Sequence, residues 1–186
     1  VRSLAANRVG PADVRVAVEA VVPVGESRHT TRYTVLGSGD VLVDVSFAPG
    51  QEGLPELPRF GVQLTVPRTF DTVTWLGRGP HESYADRKTG APVGRYSGSV
   101  AEQFHPYVRP QETGYKVDVR WIALTSAADG VGLLAVGAPL LSAAASHFLH
   151  DDFEHGPEKG QRHPTDMTPR DLVALTATAA CFGLLS

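Results

Sequence analysis

Val41-Leu42-Val43-Asp44-Val45-Ser46-Phe47 is a segment in which apolar side chains recur at every second position. The stretch 14–20 repeats this pattern, with three valines and an alanine at alternate positions. Successive side chains of a β-strand point to opposite faces of the sheet, so a period of two predicts strands that each bury one face. Nineteen glycines and 14 prolines among 186 residues favour many short elements joined by turns. The sequence therefore predicts an all-β fold.

Six further segments have the composition of strands, and turn sequences separate them. Gly37-Ser38-Gly39-Asp40 lies at hairpin distance between two predicted strands. Helix signals are few: Ser99–Phe104 fits a single turn, with Ser99 and Glu102 at the spacing of a capping box. Ala138–Ser146 fits either a short helix or a buried strand. The six predicted strands are Thr30–Leu36, Gly61–Val66, Thr72–Leu76, Lys116–Leu124, Gly132–Val136 and Leu172–Ala179.

Two stretches, 76–111 and 147–170, differ from the rest of the chain because they have few apolar residues and many Gly, Pro and His residues. We predict that both are long loops. Long loops inside a compact domain are usually functional or packed against the domain. A site or a partner surface is therefore expected in these two stretches.

Length, charge and cysteine content exclude several classes of protein. A chain of 186 residues is expected to form one domain with a sizeable core. The formal net charge of −3 argues against nucleic-acid binding, which requires a basic surface. Because every apolar run is shorter than the roughly 18 residues of a membrane span, we expect no membrane contact. Cys181 is the single cysteine, which excludes an internal disulfide framework. We expect a cytoplasmic location, although one cysteine leaves the compartment open.

The first loop holds a dense group of polar side chains at residues 79–87, Gly-Pro-His-Glu-Ser-Tyr-Ala-Asp-Arg. Two of its carboxyls, Glu82 and Asp86, meet the chemical requirement of a glycosidase. Asp86 beside Arg87 is more typical of a loop held by charge-assisted hydrogen bonds. We predict that both side chains are at least partly buried and that carboxylate or carbonyl oxygens hold Arg87. The candidates here for contact with carbohydrate or a neighbouring domain are His81, Glu82, Tyr84, Asp86 and Arg87.

Charged residues further along the chain give a second group of candidates. Arg109 and Glu112 are also candidates for contact with carbohydrate or another domain. Glu112 is read as a turn carboxylate or as a site acid, and the turn is favoured. Asp118 and Arg120 lie two apart on a predicted strand, which indicates an ion-paired strand face.

Histidines suggest a metal site, but their spacing is weak. His147, His150 and His155 lie among acidic residues, yet no pair matches a strong zinc signature. A solvated loop or a subunit contact is favoured over a metal site. Cys181, the only possible thiol nucleophile, ends an apolar run and is expected to be buried and inert.

Four motifs in a fixed order carry a resemblance to a known family. They are Leu57-Pro58-Arg59-Phe60-Gly61, the stretch 75–87 that begins Trp75-Leu76-Gly77 and ends Asp86-Arg87, Tyr107–Gly114, and Asp118-Val119-Arg120-Trp121. The order resembles the C-terminal small-chain domain, domain 5, of family 2 glycoside hydrolase β-galactosidases, over about residues 40–180. Thr113 stands where the family usually has Asn. The family domain also begins before Val1 and continues past Ser186.

The resemblance implies a fold and a role. The fold would be an all-β supersandwich of stacked antiparallel sheets, galactose-mutarotase-like, forming one domain over 1–186 that is incomplete at both ends. The parent enzyme would be a retaining β-galactosidase whose two catalytic carboxylates lie on a barrel outside this chain. This chain would support that barrel, line part of the sugar pocket, and be inactive alone. Its partners would be the barrel, the other domains and, through the whole enzyme, a galactoside. The resemblance implies no cofactor in this chain, and Mg²⁺ or Na⁺ in the parent.

Two other functions stay open at this point. A stand-alone carbohydrate-binding module predicts weak sugar binding by the isolated chain. A mutarotase-type enzyme requires a histidine and a carboxylate as acid and base, for which His81–Glu82 or His147–Asp151 would have to serve. The supporting domain is the favoured function.

Overall fold

The computed structural model describes residues 1–55, 57, 59–108, 111–154 and 169–179. The chain divides into two compact units, residues 1–58 and 59–186, and each is described here by itself. The described elements are strands apart from two 3₁₀ turns and one short helix, α1 (His150–Glu154). None of the helices in these ranges has the length and apolarity needed to cross a membrane.

The first unit is a four-stranded antiparallel sheet in the order β1-β2-β3-β4. Its strands are β1 (Ser3–Arg8), β2 (Val14–Val22), β3 (Ser27–Val35) and β4 (Val41–Ala48). The expected burial of one face is wrong for the first half of β4, where Val41 is 52% exposed and Val43 is 44% exposed. Because β4 lies at an edge of the sheet, its side chains have a strand neighbour on one side only.

The second unit is a six-stranded antiparallel sheet in the order β5-β10-β9-β8-β6-β7. The strands are β5 (Gly61–Pro67), β6 (Thr72–Arg78), β7 (Val93–Ser99), β8 (Lys116–Thr125), β9 (Gly132–Ser146) and β10 (Leu172–Ala179). Apolar side chains from the central strands form its core, because their alternate residues point to one face. The core includes Val73, Trp75, Val119, Ile122, Leu124, Ala143, Val173 and Leu175.

The prediction of an all-β chain built from antiparallel sheets is confirmed. All six further strands are present, and the ambiguous stretch Ala138–Ser146 belongs to β9. The capping box is confirmed: the Ser99 N–H donates to Glu102 Oε2 at 2.7 Å, and the Glu102 N–H donates to Ser99 Oγ at 3.2 Å. These bonds precede a 3₁₀ turn at Ala101–Gln103. The extent of one domain over residues 1–186 stays a prediction.

The first long loop was predicted too long, because 76–111 contains the end of β6 and the whole of β7. Strand β7 contains two glycines, and seven residue pairs with β6, from Thr72–Ser99 to Arg78–Val93, hold it in the sheet. Strand β1 was also not predicted. In the second long stretch, 147–170, the structure describes residues 147–149, α1 and residues 169–170, and residues 155–168 lie outside the described residues.

Candidate functional site

The loop that follows β6 is fixed at its start and middle by close packing. A Cβ atom at Gly79 would lie 2.7 Å from Tyr96 Cδ2 and 3.0 Å from Trp75 Cζ2, so this position requires glycine. Ser83 is fully buried; its N–H donates to the Tyr115 carbonyl at 2.8 Å, and its hydroxyl accepts from the Val117 N–H at 3.2 Å. These contacts hold the intervening residues against the start of β8.

Glu82 lies at the centre of this loop and accepts hydrogen bonds from four groups. Oε1 accepts from Arg87 Nη2 at 2.9 Å and from the Tyr107 hydroxyl. Oε2 accepts from the Thr113 hydroxyl at 3.2 Å and from the Gly114 N–H at 3.0 Å. An ionised carboxylate offers about four lone-pair sites, so Glu82 is saturated by its own protein. We name this group, Glu82 with Arg87, Tyr107, Thr113 and Gly114, the Glu82 cluster.

Gly114 belongs to the Glu82 cluster through its backbone alone. Its φ of +77° is one that side chains other than glycine adopt rarely. A Cβ atom there would lie 2.5 Å from the Gln103 carbonyl oxygen. Glycine at this position therefore lets the N–H point directly at the Glu82 carboxylate.

Arg87 and Asp86 differ from their predicted roles. Asp86 is exposed, and the Arg87 side chain is 54% exposed, so the prediction that both are partly buried is wrong for Asp86 and overstated for Arg87. The prediction that carboxylate oxygens hold Arg87 is confirmed, but the carboxylate is Glu82. Arg87 also lies over the Tyr84 ring, with 4.6 Å between the guanidinium carbon and the ring centroid. The loop folds back so that the side chains of residues 82 and 87 meet. The neighbouring side chains of residues 86 and 87 do not pair with each other.

We expect Arg87→Ala to lower the free energy of unfolding by about 1 kcal/mol, the usual value of a partly exposed charged hydrogen bond. The loss is modest because Glu82 keeps its three other donors. Urea unfolding measures it. A loss of about 3 kcal/mol or more would mean that Arg87 compensates a fully buried charge.

Glu112 pairs with a residue from a different sequence motif. Its carboxylate forms an ion pair with Arg59, and the two side chains are 25% and 29% exposed. The Glu112 carbonyl accepts from the Tyr84 hydroxyl at 3.4 Å. Burial raises the pKa of Tyr84 to about 12, so this phenol stays protonated and can donate. Glu112 is therefore held by Arg59 and Tyr84, which belong to two other sequence motifs.

Asp118 forms ion pairs, but not with the predicted partner. Arg78 Nε donates to Asp118 Oδ2 at 2.5 Å, and Lys88 Nζ lies 3.3 Å from the same carboxylate. The hydrogen bond from Arg78 is the main cause of the lowered pKa of Asp118. Arg120 instead donates to the Asp118 carbonyl at 2.6 Å, so the predicted ion pair between these two side chains is wrong. The φ of +53° at Asp118 marks the irregular start of β8, which turns the two side chains apart.

A polar pocket of about 640 Å³ lies beside the Glu82 cluster. Glu82, Arg87 and Tyr107 line it, together with the exposed His81 and His105. Lys116 also lines the pocket, although it is only 3% exposed. Its Nζ lies 5.0 Å from the centroid of the Trp75 ring, a cation–π distance. A largely buried lysine therefore forms part of the pocket wall.

Burial of Lys116 predicts that stability rises with pH above about 8. Burial lowers the pKa of Lys116 from 10.5 to about 8, against the opposing charge of Glu82. Between these values the unfolded chain binds more protons than the folded chain, so the free energy of unfolding increases as the pH rises. At about 1.4 kcal/mol per pH unit, the gain between about pH 8 and about pH 10 is about 2 kcal/mol.

Urea unfolding of the wild type and of Lys116→Met at these two pH values measures that gain. Burial raises the pKa values of Tyr84 and Tyr115 to about 12. These two groups lower the free energy of unfolding as the pH rises, but only above about pH 10 and equally in both proteins. Equal pH dependence of the two proteins would contradict the assignment to Lys116.

His147 and His150, which the structure describes, each have a polar neighbour within reach of the imidazole ring. His147 is buried; its Nδ1 lies 2.8 Å from the Leu172 carbonyl and its Nε2 lies 3.1 Å from Asp71 Oδ1. His150 Nδ1 lies 3.5 Å from Arg59 Nη1. His155 and Cys181 lie outside the described residues, as does Arg109. Within the ranges that the structure describes, no three His, Cys, Asp or Glu side chains converge to hold an ion.

Several residues of this region were not among the predicted site residues. Arg59 was quoted in a motif, and its pairing with Glu112 joins two of the four motifs. Tyr107 and Thr113 lie in the motif Tyr107–Gly114. Membership in one of the four motifs is therefore the sequence feature that could have identified these residues. Lys116 had no such signal.

Comparison with known proteins agrees with the four motifs. The family model described as β-galactosidase small chain matches residues 2–184. A β-galactosidase of Priestia megaterium (strain DSM 319 / IMG 1521) is 41% identical over 145 residues, which cover 76% of this chain and 14% of the relative. One from Lactobacillus delbrueckii subsp. bulgaricus is 42% identical over 111 residues, which cover 60% of this chain and 11% of the relative. One from Vibrio cholerae serotype O1 is 42% identical over 93 residues, which cover 50% of this chain and 9% of the relative.

The matches therefore span 9% to 14% of the length of these relatives. The match to the family model extends over nearly the whole chain, from residue 2 to residue 184, and so includes both units. On these findings the chain belongs to the β-galactosidase small-chain family.

Proposed function

We propose that the chain is a non-catalytic domain of a retaining β-galactosidase, where it supports the catalytic barrel and lines part of the sugar pocket. The observation that carries the non-catalytic role is the saturation of Glu82 by four donors. The relatives named β-galactosidase are about seven or more times longer than the segment that matches this chain. This difference in length supports the proposal that the chain is part of a larger enzyme.

Retaining hydrolysis requires two carboxyls about 5–5.5 Å apart, one to donate a proton and one to attack the anomeric carbon. An acid must carry a proton, and a nucleophile must present a free lone pair. Glu82 accepts hydrogen bonds from four donors, and Glu112 is paired with Arg59. Neither carboxylate is disposed for these roles, which supports placing the reaction on carboxylates elsewhere in the parent polypeptide.

The partners of the chain would then be the barrel and the other domains of the same polypeptide, and the galactoside would be reached only through the whole enzyme. Mg²⁺ or Na⁺, if the parent uses it, would be held by those other domains. We propose a cytoplasmic location for that enzyme.

The test compares the longer parent polypeptide with a version that lacks residues 1–186, using a chromogenic β-galactoside. We expect the intact polypeptide to hydrolyse the substrate and the shortened one to lose at least about 100-fold in kcat/KM, since misplaced walls of a pocket cost rate. The isolated barrel domains should remain folded by circular dichroism. Full activity of the shortened polypeptide would contradict the supporting role.

A further inference from the structure

Lys116 has a position that neither catalysis nor core packing explains. The residue is 97% buried, yet it lines the polar pocket beside the Glu82 cluster. Among the described residues, no oxygen lies at hydrogen-bonding distance from Nζ, and the influences on its charge are burial and the nearby Glu82 carboxylate. An ammonium group on a residue so largely removed from water is stabilised by an acceptor.

Glu82 does not supply the missing acceptor. All four of its lone-pair sites are used by Arg87, Tyr107, Thr113 and Gly114. Arg87 is paired with Glu82, and Glu102, the other carboxylate of the wall, accepts from the Ser99 N–H, so Lys116 is the cation of the wall that has no ion pair among the described residues. The Trp75 ring centroid lies 5.0 Å from Nζ and offers no hydrogen-bond acceptor oxygen. Because Lys116 lines the pocket, a ligand in the pocket is in place to supply one.

We propose that this pocket binds a small carboxylate of monosaccharide size, a sugar acid, with its carboxylate on Lys116. The pocket volume of about 640 Å³ lies in the range of small-molecule sites and exceeds what a single acidic side chain would fill. The rest of the wall suits hydroxyl groups, because it presents both donors and acceptors. These include Thr89, Glu102, Gln103 and His105.

This proposal does not depend on the proposed function. It concerns a pocket formed by residues 80–116 of this chain, and it holds whether or not the parent polypeptide hydrolyses galactosides. Loss of activity on deleting residues 1–186 and binding of a sugar acid are separate readouts.

Galacturonate and galactose form a matched pair of probes, because they differ mainly in a carboxylate in place of a hydroxymethyl group. Calorimetric titration of the full 186-residue chain should give at least about tenfold tighter binding of galacturonate, since a charged hydrogen bond exceeds a neutral one by about that factor. Lys116→Met should remove this advantage. Arg95→Met, which removes one positive charge from the exposed part of β7, should preserve it.

Acetate tests whether the pocket requires a sugar acid or accepts any carboxylate. If acetate bound as tightly as galacturonate, the proposal that the ligand has the size of a monosaccharide would be wrong. Equal affinities for galactose and galacturonate, or no binding of either at millimolar concentration, would show that the pocket does not recognise the carboxylate.

Lysine acetylation read by mass spectrometry gives a second test on the unmodified sequence. Galacturonate should slow the acetylation of Lys116 and leave the acetylation of Lys88 unchanged. Unchanged labelling of Lys116 would also contradict the proposal.

Discussion

Glu82→Gln is expected to lower the free energy of unfolding by about 3 kcal/mol, the usual cost of removing one partner from a largely buried charged network. The amide keeps the shape of the carboxylate, but its NH₂ group faces two of the four donors and cannot accept from them. The Glu82 side chain is only 15% exposed, so water replaces the lost bonds poorly. Urea or thermal unfolding measures the change.

Asp86→Asn is the matched control, because it removes a carboxylate from the same loop at an exposed position. We expect a change within about 0.5 kcal/mol, as for most exposed sites. Losses of similar size in the two variants would mean that Glu82 has no special structural role.

Trp75→Ala is expected to have the larger effect, about 4 kcal/mol, because it leaves a cavity in the core of the second unit. Trp75 is 2% exposed, and its indole N–H donates to the Arg78 carbonyl at 2.9 Å. Its ring also packs against Tyr96, with the two centroids 5.5 Å apart. The variant would thus disturb both the core and the contact between Trp75 and Lys116.

Trp121→Ala is the control, since it removes the same side chain from the neighbouring strand. Trp121 is half-buried, and its cross-strand neighbour Val136 is 67% exposed. We expect a loss of less than about 2 kcal/mol, in keeping with partial burial. Chemical unfolding of both variants tests the comparison, and a greater loss for Trp121→Ala would place the core on the other face of the sheet.

The fold was largely predictable because the period of two is a local property of the chain. Residues 72–76 alternate in burial and form a strand, as predicted. Residues 172–179 also form a strand, although Val173, Ala174 and Leu175 are all buried. β7 was missed because two glycines weaken its pattern, and its pairing with β6 depends on a neighbour that the sequence does not identify.

The site was less predictable because its contacts join distant residues. The alternation of β8 places Lys116 with Asp118 and Arg120 on a polar face, but irregular pairing between 116 and 121 breaks the alternation and buries both Lys116 and Val117. Similarly, proximity in sequence suggested Asp86 as the partner of Arg87, whereas the folded loop supplies Glu82. Long-range pairing decided both cases.

The most direct test of the account is the hydrolysis of a chromogenic β-galactoside by the purified 186-residue chain, alongside its Glu82→Gln and Glu112→Gln variants. The central claim is that both carboxylates hold the loops together and do not act on substrate. The account predicts no turnover above the uncatalysed rate by any of the three proteins, with lower stability for Glu82→Gln. Turnover by the wild-type chain that either substitution abolishes, while the variant remains folded, would contradict it.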